Sequence, residues 1–157
     1  MIRGIHHTSL HTRDLERLIG FYTNVLGFEL VTRFEWTDTK IIDDIVGLPD
    51  SAAKGAMLRT GNCHLELFEY SRPEARPHNP LRPCDDGYTH ICLDVTDIKG
   101  EYERLTKAGM TFNAPPQDFG DNCATYGRDP DGNIIEIQET SRDHIFSMAR
   151  VKRVNFE

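Results

Sequence analysis

The hydrophobic and polar positions of the chain follow the same order twice. Residues 7–15 (HTSLHTRDL) and residues 90–98 (HICLDVTDI) each begin with a histidine, alternate for about five residues and reach an aspartate seven places on. Alternation predicts a strand, and the apolar residues that recur at helical spacing after each aspartate predict a helix. The pattern therefore predicts a strand–helix unit that occurs twice.

The ends of both predicted helices carry residues that helix ends prefer. Asp14 and Asp97 precede the helices and are predicted N-caps, because their carboxylates can accept from free amide groups of the first turn. Gly27 and Gly109 follow the last helical positions, and each is followed by a bulky apolar residue. We therefore expect both helices to end at these glycines.

Each copy closes with an alternating strand that contains a glutamate. The first, residues 64–68, follows the turn Gly61-Asn62, and the second, residues 134–138, follows a turn that contains Asp131-Gly132. The order β-α-β-β-β is thus predicted twice. A segment that contains four of the eight prolines separates the copies and is predicted to be a linker.

These boundaries give one predicted domain over residues 1–140. It consists of module one (4–70), the linker (71–87) and module two (88–140), and residues 141–157 form a C-terminal extension. Residues 36–58 of module one contain an insertion around Gly47 that has no counterpart in module two.

The alternating strands place polar side chains on the face opposite their helix. Side chains at positions i and i+2 of a strand share a face, so His90 is grouped with Cys92, and Glu136 with Gln138. Aligning the copies makes His7 the partner of His90 and turns His6 to the other face. Because a slip of one residue exchanges the faces, the choice of His7 depends on the repeat.

One histidine and one glutamate per module suggest a metal site. A lone histidine or glutamate on a strand is usually a surface residue, but equivalent positions in a repeat favour a joint role. Two imidazoles and two carboxylates suit a divalent ion with mixed nitrogen and oxygen ligands, and zinc, nickel, cobalt, iron and manganese all remain open. Four protein ligands on a six-coordinate ion would leave two positions for water or a chelating substrate.

Length, charge and composition limit the function classes. The 157 residues fit one ordinary domain. The net charge of −7 argues against nucleic-acid binding, and no apolar run approaches the roughly 20 residues of a membrane helix. The first residues lack the apolar stretch of a secretory signal, and the four cysteines form no CxxC pair. A cytoplasmic protein with reduced thiols and no membrane contact is predicted.

Four segments in this order resemble the vicinal oxygen chelate superfamily, which includes glyoxalase I, methylmalonyl-CoA epimerase, extradiol dioxygenases and bleomycin-resistance proteins. The segments are residues 5–30, 64–70, 88–109 and 126–139. The resemblance implies an α+β fold in which paired βαβββ modules form a cupped mixed β-sheet around one metal, with the helices outside. It also implies a homodimer, with the site either in one chain or shared between two.

Carried over position by position, the resemblance implies the ligand set His7, Glu66, His90 and Glu136. This set is similar to that of the glyoxalase and epimerase branches. The dioxygenase branch binds Fe(II) with two histidines and one glutamate, and the position equivalent to Glu66 is not a ligand there. Resistance proteins lack the metal set. Glu66 therefore favours a metal-dependent lyase or isomerase, with an Fe(II) dioxygenase and a metal-poor binding protein as alternatives.

The resemblance to glyoxalase I also implies a mechanism. A small-molecule substrate with vicinal oxygens would chelate the ion, which would stabilise the enolate or enediolate formed when a carbon-bound proton leaves. Glu136 is the expected base, with Glu66 on the opposite side of the ion. The alternative is that both glutamates are only ligands and that His64 or His11 is the base. No residues identify a glutathione or coenzyme A pocket.

Further residues are weaker candidates for substrate binding. They are Arg59, Phe68, Cys92, Tyr126 and Gln138. Phe34 and Trp36 are expected either to wall the pocket or to belong to the core. Residues 143–151 are expected to form a short helix over the site or an arm of a dimer.

Overall fold

Two β-sheets, one in each half of the chain, organise the computed structural model of the protein. The structure describes residues 2–76 and 81–151. Contacts within the chain divide it into two compact units, a first unit Met1–His78 and a second unit Asn79–Glu157. Module one of the sequence lies in the first unit, and module two lies in the second.

The first unit has a four-stranded sheet and two α-helices. Its elements are β1 (His7–His11), α1 (Leu15–Gly20), a π-helical segment (Phe21–Val25), β2 (Glu29–Thr37), α2 (Lys40–Val46), β3 (Ala52–Arg59) and β4 (His64–Arg72). The strand order is β1-β4-β3-β2. Strand β1 is parallel to β4, whereas the other neighbours are antiparallel.

The second unit repeats the strand order of the first sheet and adds a short strand to the predicted β-α-β-β-β order. Its elements are β5 (His90–Asp94), α3 (Ile98–Lys107), β6 (Thr111–Phe112), β7 (Gln117–Asp118), β8 (Asn122–Arg128), β9 (Ile134–Thr140) and a 3-10 turn (Met148–Arg150). The strand order is β5-β9-β8-β6, with β7 paired to β8. Strand β5 is parallel to β9. Both sheets are mixed, which confirms the α+β fold class.

The predicted helix ends are confirmed. Asp14 Oδ1 accepts from the backbone N–H of Arg17 at 3.0 Å, and Asp97 Oδ1 accepts from that of Gly100 at 3.2 Å. Gly27 and Gly109 have φ values of 74° and 94°, in the left-handed region that favours glycine. The π-helical segment continues the first helix from the end of α1 at Gly20 to Val25, two residues before Gly27.

Helix α2 was not predicted and occupies much of the insertion at residues 36–58. Its first residue, Lys40, forms an i,i+4 ion pair with Asp44, and Gly47 closes the helix with a φ of 68°. None of its residues is buried, although its four apolar residues recur at helical spacing, as Ile41, Ile42, Ile45 and Val46. The helix has seven residues, which is shorter than the window of about 11 residues over which apolar spacing distinguishes a helix.

One face of each sheet packs against the helix of its own unit. In the first unit Leu65 and Leu67 of β4 are buried, and α1 contacts β3 and β4. In the second unit Ile135 and Ile137 of β9 are buried, and α3 contacts β9. The residues that alternate with these, including Glu66 and Glu136, therefore lie on the sheet face away from the helix.

Parts of the predicted linker and extension lie outside the described residues. Strand β4 continues to Arg72 and so enters the predicted linker, of which residues 77–80 are not described. The C-terminal extension is described to Val151, and its one helical element there is a 3-10 turn of three residues, Met148–Arg150. Over the described ranges, no helix has the length and apolar character needed to cross a membrane.

Candidate metal centre

In the first unit, β1 and β4 bring a histidine and a glutamate together. The parallel register pairs Ser9 with Glu66, so His7 lies two residues before the partner of Glu66. His7 Nε2 is 3.4 Å from Glu66 Oε2. Neighbouring strands thus place one imidazole and one carboxylate on the face opposite α1.

In the second unit, β5 and β9 repeat the same offset. Cys92 pairs with Glu136, and His90 lies two residues before Cys92. His90 Nε2 is 3.2 Å from Glu136 Oε2. The two histidine–glutamate pairs are therefore equivalent in strand position, in register and in the ring atom that faces the carboxylate.

The residue before each of these histidines contacts the other ring nitrogen. His7 Nδ1 is 2.8 Å from His6 Nδ1, and His90 Nδ1 is 2.9 Å from Thr89 Oγ1. A proton on Nδ1 that is donated to this neighbour leaves Nε2 as an acceptor or metal ligand. The expectation that His6 points away from this face is wrong, because its ring stacks on His64 with centroids 4.9 Å apart.

The two pairs have the chemistry and spacing of metal ligands. Nitrogen and oxygen ligands at about 2.1 Å from one ion, at right angles to each other, lie about 3 Å apart. The observed separations of 3.4 and 3.2 Å are close to this value. Both glutamate side chains are 17% exposed, so they are sheltered yet accessible. Among residues 2–76 and 81–151, no group of three or more His, Cys, Asp or Glu side chains lies close enough together to hold an ion.

Two predicted substrate-binding residues lie beside Glu136. The rings of Tyr126 and His90 have centroids 5.0 Å apart, and Tyr126 is the register partner of Glu136. The pKa of Tyr126 is raised, mainly by burial of its hydroxyl group and to a smaller extent by the negative charge of Glu136. The same two causes raise the pKa of Cys92 to about 12, although the residue as a whole is exposed. Both groups therefore stay protonated at neutral pH.

The remaining substrate-binding candidates have different surroundings. Arg59 lies at the end of β3 and forms an ion pair with Glu29, with Nη2 2.5 Å from Oε2. Gln138 is partly exposed on β9, two residues beyond Glu136. Phe68 lies two residues beyond Glu66 on β4, and the alternative base His11 is its register partner on β1. The other alternative base, His64, stacks on His6.

Four aromatic rings, which we call the aromatic cluster, share the face of the first sheet that carries Glu66. They are Phe34 and Trp36 of β2 and Phe68 and Tyr70 of β4, and their neighbouring centroids are 5.5–6.4 Å apart. Sequence reasoning did not select Tyr70. Its spacing of four residues from Glu66 on a strand already placed it on this face.

Comparison with known families identifies the chain. The sequence pattern of the Glyoxalase/Bleomycin resistance protein/Dioxygenase superfamily matches residues 4–137, which include both units' histidine–glutamate pairs. The chain belongs to this superfamily. The glyoxalase superfamily is the one that the four sequence segments resembled.

Individual superfamily members support the same assignment. A lactoylglutathione lyase of Salmonella typhimurium is 30% identical over 135 residues, which cover 85% of this chain and 90% of the relative. A 2-epi-5-epi-valiolone epimerase of Actinomyces sp is 31% identical over 126 residues, covering 75% of this chain and 66% of that protein. A glyoxalase family protein from Bacillus cereus has the same fold, with a TM-score of 0.79 at 23% identity over 90% of this chain and 95% of its own. Glyoxalase-type lyases and an epimerase are thus among its relatives.

Proposed function

We propose that this protein is a divalent-metal-dependent lyase or isomerase of the glyoxalase or epimerase type. The observation that carries the proposal is the pair of equivalent His–Glu contacts, His7–Glu66 and His90–Glu136. The lyase and epimerase named among its relatives support this reaction class. The substrate is a small molecule with two oxygens on adjacent carbons.

The metal ligands in this proposal are His7, Glu66, His90 and Glu136. Two imidazole nitrogens and two carboxylates suit nickel, zinc, cobalt, manganese or iron. Such an ion, when bound, withdraws negative charge from a neighbouring carbonyl oxygen and so makes an adjacent C–H bond more acidic. Thr89 and His6 hold the Nδ1 side of the two histidines, which orients Nε2 towards the carboxylates.

The base in this proposal is Glu136. Its carboxylate takes the proton from the carbon next to the carbonyl, and the electron pair of the broken C–H bond passes into the substrate's enolate. Returning that proton to the neighbouring carbon completes an isomerisation, as in a glyoxalase reaction. Delivery of a proton by Glu66 to the opposite face of the original carbon inverts its configuration, which is an epimerisation.

The first substrate to test follows from the relatives' name. A lactoylglutathione lyase implies a glutathione adduct, so the hemithioacetal of methylglyoxal and glutathione is the first choice, with acyl-CoA thioesters second. We also propose that the protein is a homodimer, as the resemblance implies, and that it is cytoplasmic, as the sequence predicts. Light scattering coupled to size-exclusion chromatography measures that assembly state directly.

Solvent-deuterium exchange tests the proton transfer. The protein is treated with a chelator, reloaded with each of the five metals in turn and incubated with the hemithioacetal in D₂O. We expect formation of the thioester product, followed by its ultraviolet absorbance, and metal-dependent exchange of the transferred hydrogen, followed by NMR. The Glu136→Gln variant should retain much of its metal, because the amide oxygen of glutamine can still coordinate an ion. It should lose about 10²- to 10⁴-fold in turnover, because a general base is removed.

The matched control is Glu103→Gln, which neutralises an exposed carboxylate on α3 and should leave turnover unchanged. Full turnover in a metal-loaded Glu136→Gln protein would contradict the base assignment. Oxygen consumption with a catechol in the Fe(II)-loaded protein, without proton exchange in any substrate, would contradict the proposed reaction class and favour the dioxygenase alternative.

A further inference from the structure

The aromatic cluster lies on the same strand face as a candidate metal ligand. Along β4, Glu66 is followed on its own face by Phe68 and then by Tyr70. A step of two strand residues is about 7 Å, so Phe68 lies within one small-molecule length of Glu66. Anything bound beside His7 and Glu66 would therefore have Phe68 as a neighbour.

Small residues in β3 allow rings from β2 and β4 to meet across it. Gly55 pairs with both Phe34 and Phe68, and Ala53 pairs with both Trp36 and Tyr70. A Cβ atom added at Gly55 would lie 2.6 Å from Phe34 Cζ, so a side chain there would displace that ring. The sequence of β3 thus leaves space that the aromatic rings occupy.

A hydrogen-bond chain from helix α2 and its following turn fixes the orientation of Trp36. Its Nε1 donates to Ser51 Oγ at 2.8 Å, and Ser51 Oγ donates to Asp43 Oδ1 at 2.6 Å. Ser51 is fully buried, and its backbone N–H also donates to Asp43 Oδ1. This chain uses residues of the insertion at 36–58, which module two lacks.

The rings are arranged as a surface with some solvent access. All four members of the aromatic cluster are partly exposed, and none is among the buried core residues. Trp36 meets Phe68 edge-to-face at an interplanar angle of 83° and a centroid distance of 5.6 Å. Edge-to-face contacts leave part of each ring face free for another planar group.

We propose that the aromatic cluster binds a planar aromatic group of the substrate, so that the preferred substrate carries an aryl group next to its vicinal oxygens. This inference rests on the proposed function, because it places those oxygens at His7 and Glu66. The substrate class is then the adduct of an aryl glyoxal or another aryl α-hydroxycarbonyl compound. Trp36 and Phe68 are specificity-determining residues, and Ser51 and Asp43 position Trp36.

Fluorescence of Trp36 tests the inference directly, because Trp36 is the only tryptophan of the chain. The zinc-loaded protein is titrated with mandelate, an aryl α-hydroxy acid, and with lactate, its methyl counterpart. We expect mandelate to change the Trp36 emission saturably and to bind at least about tenfold more tightly than lactate, because burial of the ring adds apolar contact. Equal affinity for the two acids would overturn the inference.

Variants identify the surface of the protein that binds the aryl ring of mandelate. Phe68→Leu should weaken mandelate binding about 2- to 10-fold, the range of one aromatic contact, and should leave lactate binding unchanged. The matched control is Phe119→Leu, whose side chain is exposed at the turn after β7 and should change neither affinity. Calorimetry measures binding to variants whose fluorescence is altered, and circular dichroism checks their fold. Unchanged mandelate affinity in a folded Phe68→Leu protein would also overturn the inference.

Turnover separates this inference from the proposed function. Preferential mandelate binding that depends on Phe68, without turnover of any hemithioacetal and without proton exchange in any acyl-CoA thioester, would refute the proposed function and leave the aryl site standing. Turnover of the methylglyoxal and phenylglyoxal adducts with equal kcat/KM would support the function and refute the aryl preference. Ser51→Ala should lower the phenylglyoxal-to-methylglyoxal ratio of kcat/KM about 2- to 10-fold, whereas a purely structural role would lower both values together.

Discussion

At the scale of single residues, each candidate ligand histidine is held by the residue that precedes it. His6 contacts Nδ1 of His7, and Thr89 contacts Nδ1 of His90. The two neighbours differ chemically, yet both can accept a hydrogen bond from the N–H group at Nδ1. Outer contacts of this kind fix the tautomer of a ligand histidine and raise its affinity for metal.

The first prediction concerns Thr89. Thr89→Val keeps the shape of the side chain but removes the acceptor for His90 Nδ1, and it should weaken zinc binding about tenfold or more. Competition with a chromophoric chelator measures the affinity, and ¹⁵N NMR of the imidazole reports the tautomer. His6→Phe in the first unit keeps a ring that can stack on His64 and should weaken binding in the same way.

Thr111→Val is the control, because Thr111 is exposed at the start of β6. It should leave both the zinc affinity and the imidazole spectrum unchanged. Wild-type zinc affinity in both Thr89→Val and His6→Phe would contradict the role assigned to the Nδ1 contacts.

The second prediction concerns Asp129 in the turn before β9. Its side chain accepts from the backbone N–H groups of Asp131 and Asn133 and from Asn133 Nδ2, at 2.8–2.9 Å. Asp129 is buried, so Asp129→Ala should lower the free energy of unfolding by about 2 kcal/mol by leaving these donors without acceptors. Urea denaturation measures the change. A loss of unfolding free energy no larger than that of the exposed control variant, Asp143→Ala, would contradict the prediction.

The pH dependence of Asp129 follows from its burial. Desolvation outweighs its hydrogen bonds and raises its pKa above the ordinary 3.8. The folded state therefore holds the proton more tightly than the unfolded chain, and the resulting stabilisation, present below pH 3.8, is lost as the pH rises through the folded pKa. Relative to Asp129→Asn, the wild type should gain unfolding free energy as the pH falls from 7 towards 4. A pH-independent difference would contradict this assignment.

At the scale of elements, each sheet supplies an extra cap to the helix of its unit. Glu69 lies three residues after Glu66 and accepts from the backbone N–H of Leu15 at 2.8 Å. Glu139 lies three residues after Glu136 and accepts from the backbone N–H groups of Asp97 and Ile98 at 3.1 and 3.0 Å. The strand that carries each candidate ligand is thus hydrogen-bonded to the start of the helix behind it.

The third prediction tests these caps. Glu139→Ala should lower the free energy of unfolding by about 1 kcal/mol, because two amide groups at the start of α3 lose their acceptor. Glu69→Ala should have a similar effect on α1. Glu103→Ala, on the exposed surface of α3, is the control, and thermal and urea unfolding measure all three proteins. A Glu139→Ala protein as stable as the control would show that the cap contributes nothing.

Local pattern predicted the elements that carry a repeated signal. The capping aspartates and closing glycines located α1 and α3 because helix ends have strong chemical preferences. Helix α2 has apolar residues at helical spacing, but its seven residues are too few for that pattern to distinguish a helix. The caps from Glu69 and Glu139 join residues more than 40 positions apart, and only the pairing of strand with helix brings them together.

At the scale of the whole molecule, the duplicated pattern, more than any local signal, selected the two histidine–glutamate pairs that the structure brings into contact. Strand periodicity places Glu66 and Glu136 opposite the helices, and aligning the copies selects His7 over His6. The contact of His7 with Glu66 then depends on the parallel register of β1 with β4, which the sequence did not specify. The aromatic cluster was only partly predicted, because it needs small residues in β3 between two other strands.

Metal content tests the central proposal most directly, namely that His7, Glu66, His90 and Glu136 are ligands of one divalent ion. Wild type, His7→Ala and His90→Ala are stripped with a chelator, reloaded with zinc, freed of excess metal and analysed by mass spectrometry, with circular dichroism as the check on folding. We predict about one ion per chain in the wild type and in the control His144→Ala, and less than about a tenth of that in each of the other two variants, because each removes one ligand of the same ion. A folded His7→Ala or His90→Ala protein that keeps its full complement of zinc would contradict the shared site.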